Sequence, residues 1–216
     1  MAKRTITSKD DAGIKKIMYW YGDDILPKSL FDSFHKEMLK RFNPKLRFEE
    51  SVIQEGLNLF QAQELINGNI QAIRIRAGET PTDDYLNVAS ILGSKSLPEV
   101  MTTIKKCLTE KLNFVTPVAH GTWFQYMSNK QQVGKHFDNP NVNCKPIDQS
   151  FSAFLYMHQT WEDNWGGELC FNSGTVLPKS NRLIVYSREE EHWVNEIKHT
   201  LDDYQRMFVA TSWSTD

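Results

Sequence analysis

At 216 residues, 40% hydrophobic and 24% charged, the chain has the length and composition of one large domain with a substantial core and is short for two. Twenty-five basic against 27 acidic side chains leave a net charge of -2, so no overall positive field recruits a nucleic-acid backbone and duplex nucleic acid is not an expected partner. No membrane span or secretory signal is expected, and cysteines 107, 144 and 170, odd in number and without a CxxC pair, read as free thiols in a reducing cytoplasm, of a bacterial or phage-infected cell, or in another reducing compartment.

Residues 1–13 are polar and expected to be poorly ordered. Leu30, Phe31, Phe34, Met38, Leu39 and Phe42 then recur at helical spacing until Asn43-Pro44 stops the helix, with His35 expected as a partly exposed residue within it. A second helix is expected around 57–66 and a strand over Ile70–Arg76. Ser96-Leu-Pro-Glu99 has the signature of a helix start: serine at the cap, proline in the first turn and glutamate at the third helical position. Val100, Ile104, Cys107, Leu108 and Leu112 supply its apolar stripe. Helices of this kind pack outside a sheet, and the N-terminal half is expected mainly to support one.

Beyond Asn113 the pattern changes to short strands: 122–127, 134–137, 151–158, 168–171, 182–186, 193–197 and 207–213. Many short strands at close intervals predict an antiparallel sandwich or barrel. Gly166-Gly167 and Asn172-Ser-Gly174 fit hairpin ends, and the glycine pair needs no chemical role.

Chemistry concentrates in this half. His136 and Asp138 are two residues apart on an expected strand, so imidazole and carboxylate project from one face and can converge on one ion. A third ligand can come from a histidine some fifty residues on. His192 and His199 are both candidates; His192 opens a strand, whereas His199 sits in a polar Lys-His-Thr-Leu-Asp-Asp stretch and is expected to be solvated. Two histidines and one carboxylate leave the opposite coordination positions open, as non-heme iron(II) requires. His120 and His158 are expected to serve packing or hydrogen bonding, and Arg182 a structural ion pair.

Four blocks in order, His136-Phe-Asp-Asn-Pro-Asn141, Tyr156-Met-His-Gln-Thr-Trp161, Gly166-Gly-Glu-Leu169 and Pro178-Lys-Ser-Asn-Arg-Leu183, resemble those of the prolyl-4-hydroxylase-like branch of the 2-oxoglutarate and iron(II)-dependent dioxygenases, over residues 120–213. The resemblance implies a double-stranded β-helix (jelly roll): one domain over 1–216, with helical support and first strands in 1–115 and the catalytic jelly-roll core in 116–216. It implies His136, Asp138 and His192 as iron ligands, with the match to a histidine, any residue, valine pattern favouring His192 over His199. Arg206, with Tyr156, is implied to hold the far carboxylate of 2-oxoglutarate, and Tyr126 the end near iron. Fourteen positions separate His192 from Arg206, more than relatives usually show, so the intervening turn must be longer. Dioxygen is the other co-substrate, and ascorbate is admitted as a reductant.

The activity implied is hydroxylation of an aliphatic carbon coupled to conversion of 2-oxoglutarate to succinate and carbon dioxide. The expected substrate is a prolyl residue in a peptide or protein; the alternative is a free amino acid or other small molecule. Lys145, in the long 139–149 segment, is a candidate substrate contact, and Trp213 a candidate wall of the pocket, although its spacing from Arg206 on a regular strand favours core packing. A rival of another class is a non-catalytic jelly-roll binding module, which the intact ligand set disfavours.

Overall fold

The computed structural model describes residues 4–9, 15–41, 71–74, 86–89, 94–127, 129–138, 150–199 and 206–214. In chain order these form β1 (Arg4–Lys9), β2 (Lys15–Gly22), α1 (Lys28–Arg41), β3 (Gln71–Arg74), β4 (Leu86–Ala89), α2 (Leu97–Leu112), β5 (Val118–Met127), β6 (Val133–His136), β7 (Ser150–Tyr156), β8 (Leu169–Phe171), β9 (Gly174–Val176), β10 (Leu183–Ser187), β11 (His192–Val194) and β12 (Arg206–Ser214). A large sheet has the order β1-β2-β10-β7-β12-β5-β4-β3 and a small one β6-β11-β8-β9, with antiparallel pairing throughout.

Strand alternation divides the large sheet into two buried faces. Phe151, Ala153 and Leu155 of β7, Leu183 and Val185 of β10, and Met207, Val209 and Trp213 of β12 pack with Leu30, Phe31, Phe34 and Met38 of α1 and Val100, Ile104, Leu108 and Leu112 of α2. The intervening residues face the small sheet: Tyr156, Ile184, Tyr186, Phe208 and Ala210 close over Leu169, Phe171, Val176 and Val194. Two packed antiparallel sheets buttressed by helices on one outer face make the double-stranded β-helix.

Several local expectations change. Arg4–Lys9, expected to be poorly ordered, is a strand paired with β2, and β2 lies against β10, placing Tyr19 in the inter-sheet core. The N-terminal segment therefore builds the large sheet as well as supporting it. His35 is buried rather than partly exposed, its Nδ1 donating to Met157 O at 2.5 Å, because α1 turns this side of its surface to the end of β7. Leu39, counted in the apolar stripe, is instead exposed. The helix expected at 57–66 lies outside the described residues. Arg182 makes the expected ion pair, Nε and Nη2 donating to the Asp23 carboxylate at 2.5 and 2.9 Å. Among the described residues no helix is long and apolar enough to cross a membrane.

The start of α2 is capped differently from the expected serine signature. Ser96 is already helical (φ -84°, ψ -19°) and its side chain does not cap the helix. Ser94 Oγ accepts from Leu97 N–H at 3.1 Å instead. Ser94 and Ser96 hydroxyls both donate to the carboxylate of Glu37, the latter at 2.8 Å, so a side chain of α1 sits at the N-terminus of α2. An acidic group there meets exposed N–H dipoles and favourable electrostatics. We expect Glu37→Ala to cost about 1–2 kcal/mol in urea unfolding, the range for a lost cap and its hydrogen bonds, with Glu37→Gln recovering part of it. Equal stability of Glu37→Ala and the parent would remove this link between the helices.

Candidate metal centre and anion pocket

Strands β6 and β11 pair so that His192 lies directly opposite His136, with ring centroids 4.2 Å apart. Asp138, two residues past His136, brings its carboxylate between them: Oδ1 is 3.7 Å from each Nε2. The three ligand atoms lie within 4.8 Å of one another. Donors each about 2.0–2.2 Å from a shared ion can be at most about 4.4 Å apart, so the 3.7 Å separations fit one metal.

Orientation of the ligands is built into the backbone. His136 Nδ1 donates to Gly134 O at 2.8 Å and His192 Nδ1 to Glu190 O at 2.9 Å, each reaching two residues back. A proton held at Nδ1 leaves the lone pair at Nε2, on the side facing the carboxylate. Asp138 Oδ2 accepts from Ser152 Oγ at 2.5 Å and from Tyr186 Oη–H at 3.0 Å, which leaves Oδ1 turned to the imidazoles. Burial pushes the Asp138 carboxyl up, but the two imidazoles with the Ser152 and Tyr186 hydrogen bonds outweigh it and hold it below the usual range. Burial and then the adjacent carboxylate push the Tyr186 phenol well above its ordinary value, so it remains a donor. One carboxylate and two imidazoles whose Nε2 atoms face it suit a divalent cation.

Arg206, at the start of β12, has no exposed surface. Its Nε donates to Gly167 O at 2.8 Å and its Nη2 to Tyr156 Oη at 2.8 Å, while Nη1 lies 3.4 Å from the weak acceptor Met127 Sδ. Phe208 and Tyr156 present ring faces 4.7 and 5.0 Å from the guanidinium carbon. Among the described residues no carboxylate pairs with it. A guanidinium has five N–H donors, so two remain uncommitted, and the Tyr156 hydroxyl that accepts from Nη2 still has its own hydrogen to offer. Two uncommitted N–H groups on a buried guanidinium suit a planar carboxylate.

The other expected site residues fall elsewhere. His199 does not join the metal cluster, nor is it solvated: it is buried against Trp161 and Trp165, with ring centroids 5.3 and 4.9 Å away, because Lys198 N–H donates to Trp165 O at 2.8 Å and draws the segment onto that loop. Trp213 does not wall the pocket. It stacks on Phe151 in the helix-side core, on the face opposite Arg206. Tyr126 lies opposite Met207 in the β5–β12 register, and its side chain, like that of His120, lies outside the described residues, as does Lys145. His158 donates from Nε2 to Pro178 O at 2.7 Å. The sequence reading missed Ser152 and Tyr186. Counting back by twos from Tyr156 puts Ser152 on the same face, but nothing local to either residue marks a partnership with Asp138.

Residues 122–215 match the model of the 2OG-Fe(II) oxygenase superfamily. Searched against curated proteins, the chain finds no match. Among solved structures it resembles a prolyl-4-hydroxylase from Pseudomonas putida (15% identity, 91% of each chain covered, TM-score 0.55). It also resembles a prolyl hydroxylase from Trichoplax adhaerens solved with a hypoxia-inducible-factor peptide (17% identity, 92% of this chain and 84% of that one, TM-score 0.58). The carbocyclase SnoK of nogalamycin biosynthesis is a third (8% identity, 91% and 79% covered, TM-score 0.63).

His158 gives this region a measurable acid sensitivity. Burial lowers its pKa from 6.5 to about 3, so the folded protein holds it neutral while the unfolded chain protonates it. Its contribution is fully present above pH 6.5 and is lost as pH falls toward 3, at roughly 1.4 kcal/mol per pH unit. Unfolding free energies of the parent and His158→Gln, compared from pH 7.5 to pH 5, should converge as the pH falls, within about the 2 kcal/mol that this slope allows. A constant gap across that range would show that His158 is not the group responsible.

Proposed function

We propose, on the premise that residues 122–215 belong to the 2OG-Fe(II) oxygenase superfamily and the chain is a 2-oxoglutarate-dependent dioxygenase, that it hydroxylates an aliphatic carbon, with a prolyl residue in a peptide or protein as the substrate. The observation that carries the reading is the co-occurrence of two features: His136, Asp138 and His192 with ligand atoms within 4.8 Å of one another, and a buried Arg206 that has no carboxylate partner among the described residues.

When bound there, iron(II) with 2-oxoglutarate and dioxygen supplies the oxidant for inserting one oxygen atom into a C–H bond, the other oxygen leaving in succinate as carbon dioxide is released. The chain's own residues prepare this. Gly134 and Glu190 carbonyls fix both imidazole tautomers, and Ser152 and Tyr186 hold Asp138 so that one oxygen faces the ion. Arg206 and Tyr156 would offer N–H and O–H donors to the far carboxylate of 2-oxoglutarate. Hydrophobic residues between the sheets exclude bulk water.

The prolyl reading is supported by the four sequence blocks and by the prolyl hydroxylases among the structural neighbours. A second reading is hydroxylation of a free amino acid or other small molecule; the carbocyclase SnoK of nogalamycin biosynthesis shares the fold at TM-score 0.63. Fold similarity does not select between them, because substrate choice lives in the site.

Alanine variants of His136, Asp138 and His192 should each lose iron(II) binding in an anaerobic titration, whereas normal binding in His192→Ala would remove that residue from the set. Arg206→Lys keeps the charge but loses the fork, and we expect 2-oxoglutarate affinity to weaken by about 1–3 kcal/mol. Proline-containing peptides incubated with protein, iron(II), 2-oxoglutarate and ascorbate should gain one oxygen on proline by mass spectrometry. Oxidation of free amino acids or other small molecules alone would select the second reading, and succinate formation with no substrate tested would leave neither supported.

A further inference from the structure

We infer that Gly167 is a positioning residue for the co-substrate anchor, setting the discrimination between 2-oxo acids that carry a far carboxylate and those that do not. The inference rests on the reading of Arg206 as the group that binds that carboxylate. Gly167 contributes through two independent features, a carbonyl and a missing side chain.

The carbonyl accepts the Arg206 Nε–H at 2.8 Å. Nε lies on one edge of the planar guanidinium, so this bond fixes rotation of the plane, while Nη2 is set by Tyr156 Oη at 2.8 Å. The uncommitted N–H groups then point in one direction rather than sampling the rotamers of a long side chain. The missing side chain matters equally. A Cβ at Gly167 would lie 3.2 Å from Arg206 Cδ, 3.2 Å from Ile197 Cγ1 and 3.1 Å from Trp161 Cζ2, tighter than ordinary van der Waals contact on three sides. Ile197 and Trp161 are held: Ile197 N–H donates to Gln131 O at 3.0 Å, and Trp161 Nε1–H donates to Gly166 O at 2.9 Å. Arg206 Cδ is covalently next to the Nε that Gly167 O holds, so relief of the crowding at Gly167, by the turn or by Cδ, displaces the guanidinium from its bonded position. At φ +72° the backbone of Gly167 is also in the left-handed region, and Gly167 N–H donates to Glu196 O at 3.3 Å, which ties the turn to the segment after β11.

Two ligands separate this role from a merely structural one. 2-Oxoglutarate and 2-oxobutyrate share the keto-acid end that faces the metal, and only the first has a carboxylate for Arg206. Each is titrated calorimetrically and anaerobically into iron(II)-loaded parent, Gly167→Ala, Trp161→Phe and Arg206→Ala proteins, with iron(II) affinity measured separately. Gly167→Ala should weaken 2-oxoglutarate about tenfold, the equivalent of one charge-assisted hydrogen bond, and leave 2-oxobutyrate and iron(II) unchanged. Trp161→Phe loses the indole bond to Gly166 and the ring carbon beside Gly167 while leaving the glycine itself in place, and carries the test should Gly167→Ala fail to fold; a smaller loss confined to 2-oxoglutarate is expected. Parallel loss of both acids, or no loss of 2-oxoglutarate, in whichever of these variants folds would overturn the inference. If Arg206→Ala keeps the parent's preference for 2-oxoglutarate, the anchor reading itself falls. If Arg206→Ala loses that preference while the other two variants keep it, the anchor stands and the role of Gly167 does not.

Discussion

In an antiparallel pair a slip of one residue turns every side chain to the opposite face, and the candidate metal centre depends on β6 and β11 holding their register. Setting His192 against His136 is what places two Nε2 atoms on one carboxylate oxygen. These strands are short, and the register is held from outside them: β8 pairs with the other edge of β11, placing Phe171 opposite His192. Phe171 in turn stacks on Tyr19 of the large sheet with ring centroids 4.3 Å apart. The metal-ligand geometry is thus a property of the whole sandwich rather than of one loop.

Arg206 shows the same dependence from the large sheet. β12 is paired on both sides, by β5 and β7, so the first residue of the strand is fixed in depth as well as direction. Burying a guanidinium there is costly unless its donors are met. Gly167, Tyr156 and Met127 meet part of that requirement, and two N–H donors are left over.

The sequence disclosed what depends on short spacing and concealed what depends on packing. His136 and Asp138 were legible because two residues on a strand share a face, and alternation also separated Trp213 from Arg206. His199 was misread because its chain neighbours are polar, while the aromatic rings that bury it come from Trp161 and Trp165. His35 failed for the same reason, its partner Met157 being 122 residues away. Arg4–Lys9 has one apolar residue in six, and its strand character comes from pairing at the sheet edge rather than from an apolar face. At α2 the serine signature was read one element too simply: the capping hydroxyl belongs to Ser94, and the acid that organises it to another helix.

The metal-facing histidines stand on the small sheet and the buried arginine on the large one. A single ligand that meets both therefore spans the sandwich, and sheets packed face to face are held about 10 Å apart chiefly by non-directional contacts. Such a ligand acts as a reversible cross-brace, adding directional bonds across a gap otherwise closed by side-chain packing. Because it grips only the folded arrangement, its concentration raises the stability of the entire sandwich by mass action. On the proposed reading, the co-substrate that feeds the chemistry would also be a brace of the fold.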